Sequence, residues 1–197
     1  MRILTIDQSS KTGWCIADEG LKDPRSPGLI YGSFKAPKRD SPGERLMIFR
    51  DGLVDVIEKY RPQIAAYETP FMPVGPGGQQ QAGQGAKFSP KTLRFLLNLE
   101  GVLAETTERY GIVTQDFPAA SWRVTALGMG RIPQGIPADE RDGWMKRQMI
   151  RKAQQLGYPV EDDNEADAIG MMLHMLYGGP ASERRQGDLL EQETRRL

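Results

Sequence analysis

A mixed α/β sheet flanked by helices is the fold class this sequence predicts, and three observations predict it. Short β-prone runs open the chain in quick succession, two later β-prone runs alternate with long helical patterns, and the remaining patterns are helical. With 197 residues, 39% of them apolar and 26% charged, the chain has the material for one sizeable core.

The elements follow in order. Residues 2–7, 13–17 and 29–34 are short β-prone runs separated by Asp, Gly, Ser and Pro, which reads as an antiparallel meander. From Pro42 to Tyr60, the residues Leu46, Phe49, Leu53, Val56 and Ile57 recur at helical spacing, with Asp40 or Ser41 as cap. A short buried strand follows over 63–68. Ser89-Pro90 opens a helix to about Tyr110 that carries Leu93, Leu96, Leu97, Val102 and Leu103, and a strand over 112–117 comes next. Helical patterns over 119–127, 140–156 and 165–177 complete a domain at 1–178. Residues 179–197, polar and rich in Arg and Glu, read as a tail or peripheral helix.

Composition excludes several classes. The single cysteine, Cys15, forms no internal disulfide, and no Cys/His set has zinc spacing, so a reducing cytoplasm is expected. The N-terminus lacks the pattern of an export signal, and no window approaches 18 uninterrupted apolar residues, so no membrane span is expected. The 26 basic and 26 acidic residues cancel, and bulk charge does not argue for a nucleic-acid partner. Their distribution is uneven, however: residues 161–178 carry five acids and no Lys or Arg.

Three carboxylate positions stand out. Asp7 ends the first strand where the chain turns through Gln8-Ser9-Ser10, a place where Asp also serves as a local cap. Glu68 ends the strand before Thr69-Pro70, although Glu is depleted from strands and its burial calls for a partner. The run Asp162-Asp163-Asn164-Glu165-Ala166-Asp167 opens the last helix. Acids in a first turn suit the helix dipole, with Asp163 or Asn164 as cap, but Asp167 lies in the helix body, on one face with Asp163 (i, i+4) and Asn164 (i, i+3). Carboxylates gathered together raise one another's pKa unless a hard cation such as Mg²⁺ or Mn²⁺ neutralises them.

The set Ile6-Asp7-Gln8-Ser9 with Thr12-Gly13-Trp14, then Tyr67-Glu68, then Asp163-Asn164-Glu165-Ala166-Asp167-Ala168 resembles the RuvC-type Holliday junction resolvases of the RNase H-like superfamily, and most of all their phage or prophage branch. The resemblance spans roughly residues 1 to 177. It implies an RNase H-like five-stranded sheet, three antiparallel strands then parallel ones, and a metal-dependent endonuclease that cuts four-way DNA junctions as a homodimer. It further implies that Asp7, Glu68 and Asp167 hold metal, two ions per site. The fourth ligand position falls on Asn164, with Asp163 beside it as a substitute. Phe71 matches an aromatic that stacks on bases, and Arg123 and Lys146 match basic groups near the scissile phosphate. The chemistry agrees: two metals about 4 Å apart activate water, stabilise the leaving oxygen and relieve phosphate charge.

Other features carry open readings. The Gly- and Gln-rich stretch over 72–88 either embraces DNA or is an insertion. Lys87, Lys91 and Arg94, and Lys146, Arg147, Arg151 and Lys152, are either contacts to a DNA backbone or solvated helix faces. His174, two turns beyond Asp167, reads as structural, Met171, Met172 and Met175 as core, and Trp14, Trp122 and Trp144 have no assigned role. Three alternatives stand beside the junction nuclease: a related nuclease cutting flaps, single strands or RNA/DNA hybrids, an actin- or sugar-kinase-like phosphotransfer domain, and a DNA-binding scaffold without catalysis.

Overall fold

The structure is a computed structural model, and residues 1–37, 41–69 and 89–178 are described. The meander is present as β1 (Arg2–Asp7), β2 (Lys11–Asp18) and β3 (Ile30–Lys35). Helix α1 (Pro42–Tyr60) leads to β4 (Ile64–Glu68), and α2 (Pro90–Arg109) leads to β5 (Val113–Phe117). Helices α3 (Ala119–Leu127), α4 (Trp144–Gln155) and α5 (Asp163–Leu173) follow, and a π-helical turn (His174–Gly178) extends α5. The strands form one sheet in the order β3-β2-β1-β4-β5, with β1, β2 and β3 antiparallel and β4 and β5 parallel to β1. This is the mixed sheet the sequence predicts, with the three antiparallel strands and then parallel ones that the resemblance implies.

Side-chain alternation sorts the core into two layers. On β1, Leu4 and Ile6 face Phe49, Leu53, Leu99 and Leu103 of α1 and α2, whereas Ile3 faces Trp122, Met149, Ile169 and Met171 of α3, α4 and α5. Ile64 and Ala66 of β4 join the second layer, and Ala65 and Tyr67 the first. Residues 3–6 of β1 are therefore buried on both faces, as a central strand between helical layers must be. Among the described residues, no helix is long and apolar enough to cross a membrane.

Local chemistry sets the helix ends and moves some of the expected ones. Ser41 caps α1 in a reciprocal capping box with Glu44, while Asp40 lies outside the described residues. The pattern over 140–156 becomes helical only at Trp144, because Gly143 takes a left-handed φ of 65°. The last helix begins at Asp163, earlier than expected. Its cap is neither Asp163 nor Asn164 but Asp162, whose carboxylate accepts the N–H groups of Asn164 and Glu165 at 2.8 and 3.0 Å. Its regular part stops at Leu173, and the π-helical turn carries His174 onward.

Candidate active site

The parity that sorts the core also aims the carboxylates. Asp7 continues the series Ile3, Thr5 on β1, and Glu68 continues Ile64, Ala66 on β4, so both project toward the α3, α4 and α5 layer. The parallel register pairs Ile6 with Tyr67, which sets Asp7 and Glu68 side by side at the ends of adjacent strands.

Two contacts seat α5 against that edge. The Thr5 hydroxyl donates to the Ala168 carbonyl at 2.7 Å, just beyond Asp167. Gly13, paired with Asp7 across the β1–β2 ladder, admits the first turn of α5: a Cβ there would stand 2.0 Å from the Asn164 carbonyl oxygen. A glycine at this point is a requirement of close backbone approach.

The electrostatics follow from the crowding. Enclosure raises Asp7 well above the usual carboxylate range, and the charges of Asp167, Glu68 and Asp163 add to it, with Lys146 opposing. Asp167 is pushed up to about 7 by enclosure and by Glu68 and Asp163, against Arg123 and Lys146. Glu68 is raised by enclosure and eased by Arg123 and by the Trp122 indole. Burial disfavours the Lys146 ammonium, but Asp163, Asp167 and Asp7 outweigh it and hold its pKa above the ordinary value. Three carboxylates thus sense one another, with two cations at their margin.

Each expected site residue can now be placed. Asp163 is bound by Lys146. The amide orientation of Asn164 that satisfies its surroundings directs Nδ2 to Asp7 Oδ2 at 3.2 Å, to the Lys11 carbonyl at 3.1 Å and to Ser9 Oγ at 3.2 Å. Asn164 is then a donor to Asp7, and serving as an oxygen ligand would require the amide to turn over. Arg123 Nη2 lies 4.0 Å from Glu68 Oε2. Arg147 is exposed but spends its guanidinium on the carbonyls of Asp142 and Glu140, at 2.8 and 2.6 Å, tying down the turn before α4. Lys91 and Arg94 are exposed in the first turns of α2, in the opposite helical layer from the carboxylates. Phe71 and Lys87, and the stretches 72–88 and 179–197, lie outside the described residues.

Sequence reasoning missed two contributors. The buried indole of Trp122 donates from Nε1 to Glu68 Oε2 at 3.0 Å. Gln8, also buried, donates from Nε2 to the Glu68 carbonyl at 3.1 Å. For Trp122 the signal in the sequence is the indole's single N–H, which needs an acceptor wherever the ring is buried. His174 has its Nδ1 2.8 Å from Thr125 Oγ1 and its ring edge-on to Phe117. The Cys15 thiol is buried, and burial pushes its pKa up.

The donor set suits a hard cation, being all oxygen and mutually repelling. Among the described residues no three Asp, Glu, His or Cys side chains gather around a single point. That arrangement still fits Mg²⁺, which takes one or two carboxylates and completes its shell with water and phosphate.

Sheet order and strand directions give the chain an RNase H-like fold. Within that class the chain is similar to RuvC. No family model matches it. It is 26% identical over 192 residues to the crossover junction endodeoxyribonuclease RuvC of Ruegeria pomeroyi, covering 96% of this chain and 99% of that one. A second RuvC, from Xanthobacter autotrophicus, is 26% identical over 132 residues, covering 66% and 69% of the two chains. The structure of Thermus thermophilus RuvC in complex with Holliday junction substrate superposes with a TM-score of 0.60 at 14% identity, covering 90% of this chain and 94% of that one.

Proposed function

We propose that this chain is a RuvC-type endonuclease that hydrolyses phosphodiester bonds in branched DNA, with the four-way junction as its substrate, working in the cytoplasm as a homodimer. The observation that carries the reading is the approach of Asp7 from β1, Glu68 from β4 and Asp167 from α5 on one side of the sheet edge, each with its pKa raised by enclosure, Asp7 further by the charges of Asp167 and Glu68 and Asp167 further by that of Glu68. Relatives named as crossover junction endodeoxyribonucleases support it.

In this reading Asp7, Glu68 and Asp167 hold one or two Mg²⁺ or Mn²⁺ ions, with Asp163, or a turned-over Asn164, as the fourth position. Bound there, such ions supply an activated water and charge relief at the phosphate. The chain's own residues do the rest. With its amide donating to Asp7, Asn164 preserves that carboxylate's aim when DNA arrives, and the fourth position then falls to Asp163. Lys146, exposed and bonded to Asp163, exchanges that carboxylate for a phosphate oxygen when the backbone docks. Arg123, more enclosed, neutralises Glu68 and restrains the phosphate from the α3 side. Lys91, Arg94 and Arg147, with Phe71 and Lys87, are proposed DNA contacts away from the carboxylates.

The test is cleavage of synthetic four-way junctions, flaps, splayed arms, RNA/DNA hybrids and linear duplex, each with Mg²⁺, Mn²⁺ or EDTA. Paired nicks on the junction that need metal support the proposal. Preference for flaps or hybrids moves it to a related nuclease, and ATP turnover or binding without cutting overturns it.

A further inference from the structure

The carboxylates differ in what holds them, and Glu68 is held by a residue that no motif marks. Trp122 is fully buried, and its only polar atom meets Glu68 Oε2 at 3.0 Å. The ring behind that N–H is wedged against α5: a Cβ at Gly170 would stand 2.7 Å from Trp122 Cζ3 and 2.8 Å from Met149 Cε. Gly170 lies three residues after Asp167 on the same helix. One rigid bicycle therefore touches the helix that carries Asp167 and, through its nitrogen, the strand end that carries Glu68. The next residue, Arg123, has its guanidinium 4.9 Å from the Trp122 ring centroid and reaches the same Glu68 oxygen.

We infer that Trp122 is a positioning residue: its indole sets the separation of Glu68 from Asp167 and fixes which Glu68 oxygen is available to a divalent cation. An indole N–H donates one hydrogen bond and accepts none, so it engages Oε2, the oxygen Arg123 also approaches, and leaves Oε1 unengaged by the indole. It also carries no charge, and so orients the carboxylate without competing with a cation as a lysine would. Groups that orient metal-binding carboxylates from behind change metal affinity or activity by roughly 10–100-fold when removed. The inference rests on the metal-nuclease reading of the site.

The experiment compares the full-length protein with Trp122→Phe, which keeps an aromatic ring and loses the donor, and with a chain whose residue 122 is the benzothiophene isostere of tryptophan, which keeps the shape and replaces N–H by sulfur. Mn²⁺ binding measured by calorimetry is expected to weaken roughly 10–100-fold in both. The kcat of junction cleavage should fall with KM for DNA unchanged. Should Trp122→Phe fail to fold, the isostere decides. Lower melting temperature with Mn²⁺ affinity equal to wild type assigns Trp122 to packing and overturns the inference. A wild-type protein that binds no Mn²⁺ and cuts nothing defeats the nuclease reading instead. The Trp122 indole resonance of the metal-free protein separates the two failures: it must move in Glu68→Ala, and an unmoved resonance removes the contact itself.

Discussion

The Thr5 hydroxyl and the Ala168 carbonyl meet at 2.7 Å inside the core, which fastens the strand that ends in Asp7 to the helix that carries Asp167. Thr5→Val keeps the shape and deletes this bond, leaving the Ala168 carbonyl with its partner within α5 alone. It should cost about 0.5–1.5 kcal/mol in urea denaturation. Because the bond lies between the two carboxylates, junction cleavage should fall further than the stability loss explains, measured well below the unfolding transition.

Gly13 makes the same point through space. Gly13→Ala pushes a methyl into the Asn164 carbonyl and must displace the first turn of α5, with a predicted loss of about 1–3 kcal/mol and most of the activity. Gly101, in the exposed middle of α2, is the internal comparison, because a Cβ added there would meet nothing within 4 Å. There Gly101→Ala should stabilise by about 0.5–1 kcal/mol. Thermal melts of the two variants should move in opposite directions.

The pH dependence of the metal-free protein runs against the usual carboxylate behaviour. Asp167 has its folded pKa raised to about 7. The folded state thus binds this proton more tightly than the unfolded chain, whose Asp titrates near pH 3.9. Stability from this group is complete below about pH 4 and is lost as pH rises from there to about 7. In EDTA at pH 8, Asp167→Asn should therefore be more stable than wild type, by roughly 1–3 kcal/mol, and Mg²⁺ should shrink the difference. A destabilised Asp167→Asn under those conditions would contradict the electrostatic account.

Asn164 gives a charge test of the same site. Asn164→Asp exchanges a donor to Asp7 for a fourth carboxylate. The metal-free variant should melt lower than wild type at pH 8, and its melting temperature should rise more on addition of Mg²⁺, as read by differential scanning calorimetry.

Much of this architecture is legible in the sequence because period and punctuation determine it. The run Arg2–Asp7 and the helical spacing from Pro42 to Tyr60 survive with their ends unchanged. Asp7 and Glu68 attract notice for a local reason, acids at the ends of strands that should be buried. What stays hidden depends on contacts between distant elements. Trp122 acquires an acceptor only because Gly170 lets α5 close over its ring. Asp162 wins the cap over its acidic neighbours because it is the residue with extended backbone at the helix start, and Lys11 of β2 pairs with it. Arg147 looks like a free cation on its helix, but the carbonyls it binds belong to a turn whose path only the folded chain reveals.

The most direct measurement is a crystal structure of the protein grown with Mn²⁺, read by anomalous scattering at the manganese edge. The account predicts one or two peaks bridging the carboxylates of Asp7, Glu68 and Asp167, lost in Asp7→Asn. Full occupancy of Mn²⁺ elsewhere, with these three side chains unliganded in a protein that cleaves junctions, would contradict it.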